Sequence, residues 1–125
     1  MAPRTKLQDD MAAAWAGFHI SYDLYGAYGR SVAAVDKAEK EASAGKGSWD
    51  RVNELIDASW KCLDRLREQT ARYEAEVDAL AAEIEKVRGK FADQAVFDEA
   101  EFQLGIYRGS LVVLKRAEEY FKHRR

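Results

Sequence analysis

A histidine and a carboxylate one helical turn apart share a face and can approach one ion. The chain offers that spacing twice, as His19 with Asp23 and as Glu119 with His123. These are its two histidines. A di-iron helical site needs Glu-x-x-His on two helices and two further carboxylates. Neither histidine has that spacing, so a surface hydrogen bond is the simpler role for each pair. The one cysteine, Cys62, lies beside an apolar row with no histidine near it in sequence. That suits a partly buried filler better than a nucleophile. A single cysteine also forms no internal disulfide and fits a reducing compartment. Adjacent acids such as Asp9 with Asp10 and Glu118 with Glu119 read as solvated helix surface. No strand signal is present, and so neither a strand-borne phosphate loop nor a serine nucleophile elbow. The expectation is a chain that performs no catalysis and holds no cofactor or metal.

The elements that would position these residues are helices. Pro3 is the one proline of 125 residues, so nothing downstream of it forbids helix. Ala, Glu, Lys, Leu and Arg, all strong helix formers, are abundant. Hydrophobic residues make up 47% and charged residues 34%, with a formal net charge of −2. A balance so close to neutral gives no general attraction for nucleic acid or anionic lipid. His19, Asp23 and Arg30 interrupt the most apolar stretch, well short of the roughly 18 residues a membrane span needs. The opening "MAPRTKLQDD" has no apolar signal-peptide core. A cytoplasmic protein of one domain, 1–125, is the expectation.

Three helices are predicted, over about 6–43, 49–89 and 94–123. Thr5 and Gln8 form a T-x-x-Q capping box for the first, and "SAGKGS" ends it. Ser48 caps the second, with Asp50 in its first turn. Its apolar row is Val52, Ile56, Ser59, Leu63, Leu66, Thr70, Tyr73, Val77, Leu80, Ile84, Val87 and Phe91, in unbroken 4-3 spacing. That is the seam of a long bundle or coiled coil. Gly89 marks the second turn, and Asp93 caps the third helix, with Asp98 a rival start. The third seam runs through Phe97, Ala100, Leu104, Tyr107, Leu111, Leu114 and Phe121. Short turns between long helices make neighbours antiparallel. The predicted fold is all-α, an elongated up-down-up three-helix bundle of coiled-coil character.

Helices 1 and 3 carry more apolar surface than one seam requires. On helix 1, Met11, Trp15, Phe18, Tyr22, Tyr25, Gly29 and Val32 define one face. Ile20, Leu24, Tyr28 and Val35 lie well round the cylinder from it. On helix 3, Phe102, Ile106, Gly109, Val113 and Tyr120 form a second row. Gly105 and Gly109 make a small-xxx-small pattern on the same helix, each costing on the order of 1 kcal/mol against alanine. Apolar surface beyond a single seam predicts an interface with another chain, most simply a homodimer. The expected contact residues are Trp15, Phe18, Ile20, Tyr22, Leu24, Tyr25, Tyr28, Phe102, Ile106, Val113 and Tyr120.

The functional expectation is a non-enzymatic protein–protein interaction module: an adaptor, an assembly subunit or a secretion-type chaperone. The alternative is a small helical subunit of a nucleic-acid-binding complex. Its basic candidates, Lys61, Arg65, Arg72, Arg108, Lys115, Lys122 and Arg124, are interleaved with acids and form no broad stripe. Lys122, Arg124 and Arg125 also sit where a helix C-terminus favours cations. Trp15-Ala16-Gly17 matches the bare W-x-G of small secreted helical-hairpin proteins, whose motif occupies an interhelical turn. Here it falls inside the first predicted helix, and no family is assigned on it.

Overall fold

Thr5 opens the first helix through the reciprocal bonds that its spacing to Gln8 predicts. The Thr5 hydroxyl accepts from the Gln8 amide at 3.2 Å, and the Gln8 side chain accepts from the Thr5 amide at 3.0 Å. The computed structural model describes residues 4–122, apart from the side chains of 118 and 120–122. It contains α1 (Lys6–Ser43), α2 (Trp49–Val87) and α3 (Gln94–Lys122). Among the described residues there is no strand. Ser48 caps α2 by accepting from Asp50 at 3.1 Å. Asp93 rather than Asp98 caps α3, its carboxylate accepting from the Val96 amide at 3.2 Å. Gly45 and Gly89 adopt φ of +73° and +75° in the two turns. Glycine enters that left-handed region without steric cost. The second of these turns ends α2 at Val87, two residues before the predicted limit of 89.

Specific contacts fix the course of the chain. Lys6 reaches Glu83 at 3.6 Å, whereas Gly17 packs on Tyr73 and Glu76, so α1 and α2 run in opposite directions. Arg88 meets Glu101 and Tyr73 meets Ser110, which sets α3 antiparallel to α2. Phe18 stacks near Tyr107 and Tyr28 bonds Ala117, so α3 runs with α1. The up-down-up order follows. At 1.5 Å per residue, the 38 residues of α1 span about 57 Å.

The seam of α2 is buried as its spacing predicts, from Val52 through Leu63, Leu66, Tyr73, Val77 and Leu80 to Ile84. Ile56 and Val87 are half-buried, and Phe91 packs on the core from the turn beyond the helix. Phe97, Ala100, Leu104, Tyr107, Leu111 and Leu114 of α3 are likewise buried. Phe121 lies outside the described side chains. On α1, Tyr28, Val32 and Val35 are buried as hydrophobicity selects, but so are small residues that it does not select. Leu7, Ala14, Ser21, Tyr28, Val35 and Ala42 recur every seventh position, with Gly17 buried between them. Small side chains in this row let the α1 and α2 backbones come close. A Cβ at Gly17 would lie 3.0 Å from the Tyr73 ring.

Two neighbours explain the two apolar faces of α1. The heptad row of Leu7, Ala14 and Ser21 faces α2. Phe18, Tyr22 and Tyr25, beside that row, are half-buried against the core. Phe18 lies 5.8 Å from Tyr107 and 6.4 Å from Tyr73, centroid to centroid. Tyr73 and Tyr107 are 6.1 Å apart. An aromatic cluster thus joins all three helices, with tilted and edge-on ring geometries that add to simple burial.

Candidate interaction surface

The aromatic stretch of α1 is committed to its own bundle. Tyr28 is 4% exposed, and its hydroxyl donates to the Ala117 carbonyl at 3.3 Å. It is a core residue, which corrects its assignment to an outer interface. Phe18, Tyr22, Tyr25 and Leu24 are half-buried and pack on the core, so they too serve the fold. The physical reason is that a helix between two neighbours needs two apolar faces, where the sequence argument allowed it one. Burial raises the hydroxyl pKa of Tyr22, with Tyr25 adding to the effect. Trp15 and Ile20 are exposed. They lie five residues apart, about 140° around the helix, and do not form one face.

His19 does not pair with Asp23 in the structure. Its ring packs edge-on against Trp15 at 4.2 Å and Phe18 at 5.3 Å. Among the described residues, no three His, Cys, Asp or Glu side chains gather to hold a metal ion. His123 lies outside the described residues. Cys62 is half-buried on α2 and packs on the core.

The exposed apolar surface concentrates on α3. Its inward row follows the 3-4 rhythm from Phe97 to Leu114. A second row with the same rhythm, Glu99, Phe102, Ile106, Gly109, Val113 and Arg116, runs down the outer side. Phe102 is 65% exposed, Ile106 46% and Val113 42%. Val112, also exposed, widens the strip. Gly105 and Gly109 interrupt it, with nothing within 4 Å of where a Cβ would stand. The result is bare backbone between large apolar side chains. From Phe102 to Val113 the strip is about 17 Å long. The side chain of Tyr120, the last predicted member of this row, lies outside the described ones.

Two charges of α3 on the α2 side of the strip, Glu101 and Lys115, are already engaged. Glu101 accepts from Arg88 at 3.0 Å, and Glu74 pairs with Lys115. Arg88 also donates to Glu85 at 2.8 Å, which holds the Glu85 carboxyl below its ordinary range. On the α1 side, Ser110 and Ala117 are buried. The strip is therefore bounded on both sides by contacts within the molecule.

Two exposed apolar residues escaped the sequence argument. Val112 is masked by its neighbour Val113, which alone fits the row's spacing. Trp49 is exposed at the first position of α2. Its place outside the seam spacing, directly after the Ser48 cap, was the available signal. Comparison with protein-family models, curated proteins and solved structures finds no match. Among the described residues, no helix is long and apolar enough to cross a membrane.

Proposed function

We propose that the chain is a non-enzymatic protein–protein interaction module, an adaptor or assembly subunit, whose docking face is the outer strip of α3. The observation that carries this is the clustering of exposed Phe102, Ile106 and Val113 on one side of a helix whose opposite side is fully used, with Val112 at the flank. Single exposed apolar residues are ordinary, whereas a contiguous strip is characteristic of interaction sites. Large apolar side chains around bare backbone also suit the close approach of another helix. Dimer formation through this face is the simplest use of it. The pairing of Arg88 and Lys115 with carboxylates neutralises two basic groups beside the strip, which favours this reading over a nucleic-acid subunit at this face.

Ile106→Glu tests the reading. It puts a charge at the centre of the strip, at a side chain that is 46% exposed and outside the buried core. Its circular dichroism and melting temperature are expected to equal those of the parent. Its self-association, and its capture of any protein that the parent binds, should fall at least tenfold. Equal association by parent and variant would refute the docking face.

A further inference from the structure

We propose that the occupant of the α3 strip is a second copy of this chain, docked antiparallel about a twofold axis level with Tyr107 and Arg108. This rests on the reading of α3 as a docking face and names its partner. Residues 99, 102, 106, 109, 113 and 116 keep the 3-4 spacing of a helix–helix seam. Such a row read in opposite directions about its midpoint pairs Phe102 with Val113 of the second copy. Ile106 then meets Gly109, and Glu99 meets Arg116.

Each level is complementary. The largest side chain of the row meets a smaller one. Ile106 enters the gap at Gly109, where no atom stands within 4 Å of a Cβ position. Glu99 and Arg116 are opposite charges at opposite ends of the strip, and the twofold axis forms the pair twice. On one flank Val112 stands beside Gly105 of the second copy. Parallel docking in register matches none of these. It sets Phe102 on Phe102, gap on gap, Glu99 on Glu99 and Arg116 on Arg116, with like charges opposed.

The row reads as its own complement only when reversed, and that selects a second copy over an unrelated helix. The strip is one helix wide, short of the roughly 800 Å² per partner of a standard interface. Asp98 and Glu119 approach each other on one flank and add a small repulsion. The dimer is accordingly weak, with a dissociation constant on the order of 10 µM.

Sedimentation equilibrium from about 1 µM to about 500 µM should show a monomer–dimer equilibrium. Glu99→Arg and Arg116→Glu should each raise the dissociation constant on the order of tenfold, and combining them should restore it to within about threefold. In a Cys62→Ser background, oxidation should link chains carrying both Phe102→Cys and Val113→Cys. Chains carrying Phe102→Cys alone should stay unlinked. A monomer at every concentration overturns the second copy as occupant. So does a dimer in which the charge reversal gives no rescue, or in which Phe102→Cys alone cross-links. The docking face itself survives those results if Ile106→Glu still abolishes capture of another protein, and falls with them if it changes nothing.

Discussion

Tyr73 is the largest fully buried side chain, and its hydroxyl is satisfied. The Ser110 hydroxyl donates to the Tyr107 carbonyl at 2.7 Å, leaving its oxygen to accept from Tyr73 at 2.8 Å. The buried phenol thus ends in a short hydrogen-bonded chain, without which its desolvation would be uncompensated. Burial pushes the Tyr73 pKa up to about 12. Burial raises Tyr107 as well. The sign of the consequence is set by linkage. The folded state holds the proton more tightly than the unfolded chain, whose phenol titrates near 10. Stability from Tyr73 is therefore fully present below pH 10 and is lost as pH rises from there toward about 12. Denaturant titrations across that window should show a falling midpoint in the parent and a shallower fall in Tyr73→Phe. Parallel slopes in the two proteins would contradict it.

Glycines separate what each helix does at the scale of the element. Gly109 sits mid-helix with open space around it, so Gly109→Ala should stabilise the monomer by about 1 kcal/mol through helix propensity. Gly17→Ala gains the same propensity but drives a methyl to 2.9 Å from Glu76 Oε2 and 3.0 Å from the Tyr73 ring. The carboxylate can swing aside, but the ring is locked in the core. Overpacking costs about 1–3 kcal/mol, so Gly17→Ala should come out destabilising by about 1 kcal/mol. Urea unfolding of the two variants should give opposite signs.

The same contrast explains what the sequence made legible. The rows of α2 and α3 are built mostly of Leu, Val, Ile, Phe and Tyr, with Ser59, Thr70 and Ala100 among them, and their spacing declares them. Much of the α1 surface toward α2 is made by Ala14, Gly17 and Ser21, which carry little hydrophobic signal, while the aromatics beside them do. Their inward role depends on how close α2 lies, and that is a property of packing. The outer row of α3 was readable because Phe102, Ile106, Gly109 and Val113 keep helical spacing. That α1 has no equivalent free face was not readable, because it depends on where α3 lies.

The whole molecule is unevenly thick. α3 has 29 described residues against 38 in α1 and 39 in α2. The contacts of Phe18 with Tyr107 and Tyr28 with Ala117 set Lys122 level with Ala33 of α1. Among the described residues, α1 lies against α2 alone beyond that level. Val35, Ala42 and Val52 are buried there, yet they stand apart from the main core cluster of all three helices. Two helices joined by small residues bury little apolar area per backbone hydrogen bond, so this end should open without the rest. Toward the other end, Leu63, Leu66, Tyr73, Val77 and Leu80 are enclosed by both neighbours. Native-state hydrogen exchange should resolve the two regions. Amides of 36–54 should exchange through local opening, on the order of 100-fold less protected than those of 63–80, which exchange only on global unfolding. Low denaturant should leave the first group's rates nearly unchanged and accelerate the second. Uniform protection along α1 and α2 would mean that the bundle unfolds as one cooperative unit, with the hairpin end held as firmly as the aromatic centre.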